Sequence, residues 1–207
     1  MDCIILAAGA SKRMGRPKLH LPFGRTTILG ATVEAALGAG VRVIVVGRPD
    51  DALIEAYARP GRVLVAVNRN PERGMLSTLR AGIAIATDPC ERGFFFILAD
   101  MPLVRTSTYE LLLASKRSTP LVATCGGRRG HPVFLPPALA RRVLALPDSA
   151  NLRALIDAAE PLFIETGDEG TVLDIDRPDE YEFAAALLAA GLSPPGRRDQ
   201  PFLYSSR

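Results

Sequence analysis

Apolar residues along the chain gather into two kinds of run. Short, largely apolar blocks cover residues 3–7, 41–46, 63–67, 93–98, 121–124, 132–135 and 172–175. Blocks of that length with little alternation read as strands buried on both faces. Between them the apolar positions recur at helical spacing. Residues 26–37 place Ile28, Leu29, Val33, Ala36 and Leu37 on one face, with Thr26 or Thr27 positioned to cap the start and Gly38 and Gly40 to end it. In residues 72–86, Met75, Leu79 and Ile83 form a stripe at spacing four. Further helices are predicted over 50–58, 106–115, 137–146, 151–159 and 178–190, the last begun by Pro178 and stopped by Gly191.

Strands alternating with helices predict an α/β fold: a Rossmann-like, three-layer α/β/α architecture around a mostly parallel sheet. The 207 residues suffice for one well-buried core and are too few for two comfortable domains. One domain is expected over residues 1–192. Residues 193–207, rich in Pro, Gly, Arg and Ser, are expected to form a loose tail.

Composition narrows the function. The net charge of +3 is too small for the dense basic face of a nucleic-acid binder, and the absence of Trp removes an obvious stacking platform. The three cysteines, Cys3, Cys90 and Cys125, are widely spaced with no CxxC, which argues against a disulfide framework or a zinc site. Cys3 and Cys125 read as small buried residues and Cys90 as a loop thiol. His20 and His131 are the two histidines, too few for a histidine-based metal site. His20 has no evident partner and reads as structural or exposed. The apolar stretch 3–10 lacks a preceding basic segment and runs straight into Lys12 and Arg13, unlike a signal peptide. No stretch approaches the roughly 18–20 apolar residues of a membrane span. The expectation is a cytoplasmic protein with neither membrane nor nucleic acid as a partner.

The chemistry concentrates in LAAGASKRMGRPKL, residues 6–19. Ligands of open α/β sheets bind at the carboxyl ends of strands, and this segment leaves the first strand there. Ala7, Ala8, Gly9 and Ala10 let a ligand approach the backbone, whose successive N–H groups suit an anion. Arg13 and Lys18 add full charges, a combination suited to a triphosphate. The segment is neither GxGxxG nor GxxxxGK[ST], which removes the main support for a dinucleotide-binding oxidoreductase. Two acidic positions complement it. Asp100 closes the run FFFILADMP, and Asp176 lies in LDIDRPDEY with Asp174 beside it. Magnesium commonly takes one or two carboxylates plus phosphate oxygens. Asp176 also stands just ahead of a Pro-started helix, where a carboxylate simply favours the N-terminus.

LAAGASKRMGRPK resembles the signature LAAGxSxRMGxxK of nucleotidyltransferases with the glycosyltransferase-A-like fold. Within them it is most similar to the MobA-like branch and its molybdenum cofactor cytidylyltransferases. The resemblance spans roughly residues 2–190. It implies that Leu6, Ala7, Ala8, Gly9, Ser11, Arg13 and Lys18 wrap the nucleotide, with Arg13 and Lys18 on its phosphates. Asp100 in Asp100-Met101-Pro102 matches the family's D-x-P magnesium ligand, and Asp176 matches the second metal position, with Asp174 able to share it. Gly74, Met75, Ser77 and Thr78 match a G-M-x-x-S-L segment, which implies base and ribose contacts from Ser77 or Thr78. Arg129, Gly130, His131 and Pro132 match an RGHP element on the acceptor side. The chain departs from a G-D-x-G-A-R segment, keeping Asp148 and Arg153 without the glycines.

The resemblance therefore implies a Mg²⁺-dependent enzyme with Arg13, Lys18 and Asp100 at its catalytic centre. It would transfer CMP from CTP to molybdenum-bearing molybdopterin, release pyrophosphate, and supply a molybdenum hydroxylase. The branch's guanylyltransferases read LAGG where this chain has LAAG, and the extra methyl of Ala8 favours a pyrimidine. The alternatives are a guanylyltransferase, a sugar-phosphate nucleotidylyltransferase, and a non-catalytic carrier of the finished cofactor.

Overall fold

A computed structural model describes residues 1–10, 12–115 and 118–191. The predicted tail, 193–207, and Ser11 lie outside the described residues. The chain runs β1 (Asp2–Leu6), a hairpin of β2 (Pro22–Phe23) and β3 (Thr26–Thr27), α1 (Ile28–Gly38), β4 (Arg42–Gly47), β5 (Val63–Val67), α2 (Met75–Ile83), α3 (Pro89–Arg92) and β6 (Phe94–Leu98). It continues through α4 (Thr106–Ala114), β7 (Leu121–Cys125), β8 (Arg128–Leu135), α5 (Pro137–Ala145), α6 (Leu152–Asp157), β9 (Leu162–Glu165) and α7 (Pro178–Ala189).

Seven strands form the main sheet in the order β5-β4-β1-β6-β8-β7-β9. Strands β5, β4, β1 and β6 are parallel neighbours, β8 pairs antiparallel with both β6 and β7, and β9 is parallel to β7. Only β8 runs against the rest of this sheet. The α/β architecture and mostly parallel sheet are as the sequence pattern predicts.

Side chains alternate across each strand. Cys3 and Ile5 pack with Leu29 and Val33 of α1, Tyr109 and Leu112 of α4 and Ala184 of α7. Ile4 and Leu6 face the other way, onto Leu76 and Leu79 of α2, Val143 of α5 and Leu155 of α6. The apolar run of residues 3–6 in β1 follows from this, because both of its faces are interior. At the start of α1 the capping choice is resolved: the Thr27 hydroxyl accepts from Gly30 N at 3.0 Å.

Connectivity opens a crevice at one edge of the sheet. From β1 the chain moves outward to β4 and β5, then crosses back to β6 on the other side of β1. The connections leaving β1 and β6 diverge, opening a crevice at their carboxyl ends. Ala7 N still bonds Val46 O at 2.8 Å, and Ala99 N bonds Leu6 O at 3.2 Å, so the sheet holds the chain up to the rim of that crevice.

Several expectations need correction. Residues 172–175 are not a sheet strand. A 3₁₀ turn covers Glu169–Val172, and the extended chain beyond it is tied to the end of β6 by one bond, Ile175 N to Asp100 O at 2.9 Å. The expected helix over 50–58 shrinks to a 3₁₀ turn at Ile54–Tyr57. Gly74, at φ +88°, divides residues 72–86 into a 3₁₀ turn and α2. Strand β9, four residues reading LFIE and largely exposed at the sheet's edge, is a further strand that the apolar blocks above do not include. Cys90 sits in the one-turn helix α3 rather than in a loop. No helix among the described residues is long and apolar enough to cross a membrane.

Gly82 shows how tightly α2 lies on the sheet. A Cβ there would stand 2.4 Å from Ile4 Cγ2 and 3.0 Å from Val46 Cγ2. Gly82→Ala gains about 1 kcal/mol of helix propensity but overpacks a buried contact, at a cost of about 1–3 kcal/mol. The expected outcome is net destabilisation, read as a lower urea midpoint with an unchanged m-value.

Candidate functional site

The segment after β1 folds over the crevice as two 3₁₀ turns, Lys12–Met14 and Lys18–His20. Buried Met14 and Leu19 anchor these turns, while Arg13 and Arg16 remain exposed. Neighbouring elements hold the far end: Ile28 N bonds Leu21 O at 3.1 Å, and the Tyr181 hydroxyl of α7 donates to Pro22 O at 2.7 Å.

This arrangement turns Lys18 inward. Its side chain is 8% exposed, and Nζ lies 2.6 Å from Asp100 Oδ2 and 2.6 Å from Asp176 Oδ1. Arg13 meets the other oxygen of Asp176 at 2.5 Å, but its own side chain is 70% exposed. Each acid has a simple structural origin. Asp100 is two residues beyond β6, at the crevice rim. Beyond the 3₁₀ turn, strand-like alternation sends Ile175 into the core and leaves Asp174 and Asp176 on the opposite side, facing Asp100. The helix-capping role open to Asp176 falls instead to Glu180, whose carboxylate accepts from Asp176 N at 2.7 Å and Arg177 N at 3.0 Å.

Asp100, Asp174 and Asp176 each offer an oxygen within 4.8 Å of the others. Burial and the charges of Asp100 and Asp176 push Asp174 up to about 6. Burial acts against ionised Asp176 too, but Lys18 and Arg13 hold it below the usual carboxylate range. For Lys18, burial opposes the charge, yet the two aspartates overcome it and raise its pKa. Asp100 Oδ1 is buried with no hydrogen-bond partner. An orphaned carboxylate oxygen in a cluster of hard oxygen donors fits a divalent cation of the magnesium type.

Two adjoining cavities meet at Asp100. One of about 300 Å³ is lined by Gly9, Ala10, Arg13, Lys18, Asp100 and Asp176. The other, about 470 Å³, is bounded by Ala8, Gly9, Arg48, Met75, Thr78 and Leu98. Leu6 and Gly9 border both, and Ala7 lines a further cavity of about 630 Å³ across the loop. Thr78 is buried and accepts from Asn68 Nδ2 at 3.0 Å. Ser77 is tied to Asn68, Asn70 and Gly74, which orders the turn into α2.

The predicted acceptor residues stand apart from this cluster. Arg129 pairs with Asp157 at 2.6 Å and lies 5.0 Å from the Phe163 ring centroid. A Cβ on Gly130 would come 1.9 Å from Thr171 O, so glycine there lets β8 pass against the Glu169–Val172 turn. His131 packs edge-on to Phe96, with ring centroids 5.5 Å apart. Of the residues in the altered segment, Asp148 pairs with Arg73 and Arg80, and Arg153 faces Asp157.

Sequence reasoning missed the partners of His20. Its Nε2 lies 2.8 Å from Asp51 Oδ1, and its Nδ1 lies 3.3 Å from the Tyr57 hydroxyl, which bonds Thr27. No local spacing signals a pairing across 31 residues.

A small-residue loop, an inward lysine with an arginine at the rim, and clustered carboxylates at a sheet's switch point define a nucleotide-binding α/β protein of the phosphate-transferring class. Residues 3–162 match the MobA-like NTP transferase domain, and the chain belongs to that nucleotidyltransferase family. It is 28% identical over 183 residues to a molybdenum cofactor cytidylyltransferase of Escherichia coli (strain K12), covering 87% of this chain and 93% of the relative. It is 31% identical over 166 residues to a probable molybdenum cofactor guanylyltransferase of Mycolicibacterium paratuberculosis (strain ATCC BAA-968 / K-10), covering 76% and 81%. Among solved structures, Rv0371c from Mycobacterium tuberculosis H37Rv superposes with a TM-score of 0.76 at 26% identity, covering 89% and 96%. A manganese complex of Rv0371C superposes at 0.71 with 23% identity, covering 89% and 97%.

Burial pushes the His131 imidazole down to about 4. The fold thus holds it neutral, whereas the unfolded chain binds a proton below about 6.5. Its contribution to stability is full above pH 6.5 and declines as the pH falls towards 4. The urea midpoint of the wild type is expected to drop more between pH 7 and pH 4.5 than that of His131→Gln.

Proposed function

We propose that the protein transfers CMP from CTP to a molybdopterin-type acceptor and releases pyrophosphate. The observation that carries this reading is the convergence of Lys18 and Arg13 with Asp100, Asp174 and Asp176 at the crevice. Triphosphate chemistry needs cations for the substrate's charge and hard oxygens for a divalent metal. The relative from Escherichia coli supports cytidylyl transfer to molybdenum cofactor, and the manganese complex of a fold neighbour supports a divalent ion.

In this mechanism, an anionic acceptor oxygen attacks the α-phosphorus of CTP in line. The new P–O bond forms as the bond to the bridging α,β-oxygen breaks, and pyrophosphate leaves with that electron pair. The acceptor needs no proton removed, so the protein's task is positioning and neutralisation. Gly9 and Ala10 admit the phosphates to the backbone, and Arg13 and Lys18 stabilise charge on the leaving group. Asp100 and Asp176, with Asp174 beside them, would hold Mg²⁺, which supplies charge neutralisation when bound. The base occupies the cavity of about 470 Å³, where the Ala8 methyl restricts its size and Thr78 lines the wall, with Ser77 beside it ordering the turn into α2. Acceptor recognition is assigned to β8, whose antiparallel register carries Arg129, Gly130 and His131 towards the Asp100 end of β6. A molybdenum hydroxylase in the cytoplasm is the recipient consistent with this product.

The test is pyrophosphate release from purified protein, Mg²⁺ and molybdenum-loaded molybdopterin with each of CTP, GTP, ATP and UTP. Release with CTP is expected. Release with GTP alone overturns the base assignment, and silence with all four despite nucleotide binding overturns the acceptor. Lys18→Ala is expected to lower the rate by about 10²–10³-fold. Ala8→Gly is expected to narrow the preference for CTP over GTP, read as the ratio of kcat/KM values.

A further inference from the structure

Lys18 is assigned above to the triphosphate, yet in this structure it is engaged by two carboxylates. A lysine ammonium has three donors. Two of them point at Asp100 Oδ2 and Asp176 Oδ1, each at 2.6 Å. Asp100 and Asp176, with Asp174, supply the oxygens that cluster within 4.8 Å. The ammonium therefore sits among the donors that a divalent ion would use.

The ammonium holds Asp100 Oδ2 and leaves Oδ1 without a partner, so an ion drawn to Oδ1 would share the same small carboxylate cluster with it. A magnesium-type ion requires its ligands at about 2.0–2.1 Å. An ammonium held by the same carboxylates would stand within a few ångströms of it, in a region where Lys18 is 8% exposed and little water screens the repulsion. Backbone movement is not the obvious release, because Leu19 is buried next to Lys18 and the 3₁₀ turn is closed by Leu21 N to Lys18 O at 3.1 Å. The four-carbon stem can instead redirect the charge while its root stays fixed. The 300 Å³ cavity provides room for that swing, since Lys18 lines it together with Gly9, Ala10 and Arg13. Arg13 has little to give up, its side chain being 70% exposed.

We propose that Lys18 is a built-in placeholder for the metal: a divalent ion displaces its ammonium from Asp100 and Asp176, and the freed ammonium turns to the triphosphate. This rests on the nucleotidyltransferase reading and adds a coupling to it. Metal alone must evict a paired lysine. Triphosphate alone must pull the same lysine from two carboxylates. Each ligand removes the obstacle to the other, so they bind with positive cooperativity, and the coupling is reciprocal. Between turnovers the placeholder also spares the enzyme an uncompensated acidic cluster.

Two measurements test this without activity. In the wild type, the Lys18 Nζ resonance is followed by lysine side-chain NMR, and the Asp100 carboxyl carbon by ¹³C NMR, during titration with Mg²⁺ alone. The Nζ signal of the carboxylate-bound ammonium is expected to disappear at the Mg²⁺ concentration that shifts Asp100. An Asp100 shift with the Nζ signal unchanged would show that both cations fit together, and would overturn the proposal. The second measurement is Mn²⁺ affinity by electron paramagnetic resonance in the absence of nucleotide. Lys18→Met is expected to bind Mn²⁺ at least tenfold more tightly than the wild type. Arg16→Met removes an exposed charge from the same loop and is expected to change the affinity by less than twofold. Equal gains from both variants would reduce the effect to general electrostatics and sink the placeholder. Adding Asp100→Asn to Lys18→Met should abolish the gain. If wild type and Lys18→Met both fail to bind Mn²⁺, the metal reading of the site fails and takes this inference with it. Metal binding that ignores Lys18 refutes the inference alone.

Discussion

A single buried ammonium joins three distant stretches of chain. Lys18 is separated by 82 residues from Asp100 and by 158 from Asp176, yet both acids meet its Nζ. Buried ion pairs are poor sources of net stability, because desolvation offsets much of the attraction. Their geometric requirement is the more informative property. The pair distances hold only if the loop after β1, the end of β6 and the approach to α7 come together in one register. The site is thus an outcome of the whole fold rather than of the signature loop alone.

The sheet makes that convergence possible. Its strand order puts β1 and β6 side by side while sending their connections in opposite directions. The crevice between them is already open at the backbone level. The chain before α7 then adds its acids through little more than Ile175, whose side chain enters the core and whose N–H bonds Asp100 O. One apolar anchor and one backbone bond orient two carboxylates, because alternation along an extended segment does the rest. Glu180 relieves Asp176 of capping duty and leaves its carboxylate free to face the cations.

Charge within the site is graded by exposure. Lys18 is deeply placed and held from two sides, while Arg13 lies at the surface and touches one acid. The same loop is pinned outside the crevice by His20, which pairs with Asp51 just beyond β4. Phosphate-binding loops in α/β proteins commonly combine backbone donors with such side chains. Here the MobA-like transferase domain supplies the family frame.

Much of this protein was legible in one dimension. Apolar blocks and helical stripes predicted the α/β layers, since burial on both faces leaves a run that composition alone reveals. The loop of residues 6–19, Asp100 and Asp176 were also visible, because cations and small residues at a strand's end have few structural reasons to coincide. Other features left a weak, misleading or absent local trace. Strand β9 is short and exposed, residues 172–175 copy a strand's apolarity without a sheet partner, and His20 finds Asp51 only in three dimensions. Nor could spacing reveal that Lys18 rests on the carboxylates rather than standing open for phosphate. Sequence encodes which residues are buried and which carry charge, because those properties belong to each side chain. Tertiary structure decides which charges face each other, because that depends on strand order and on where distant segments are brought to rest.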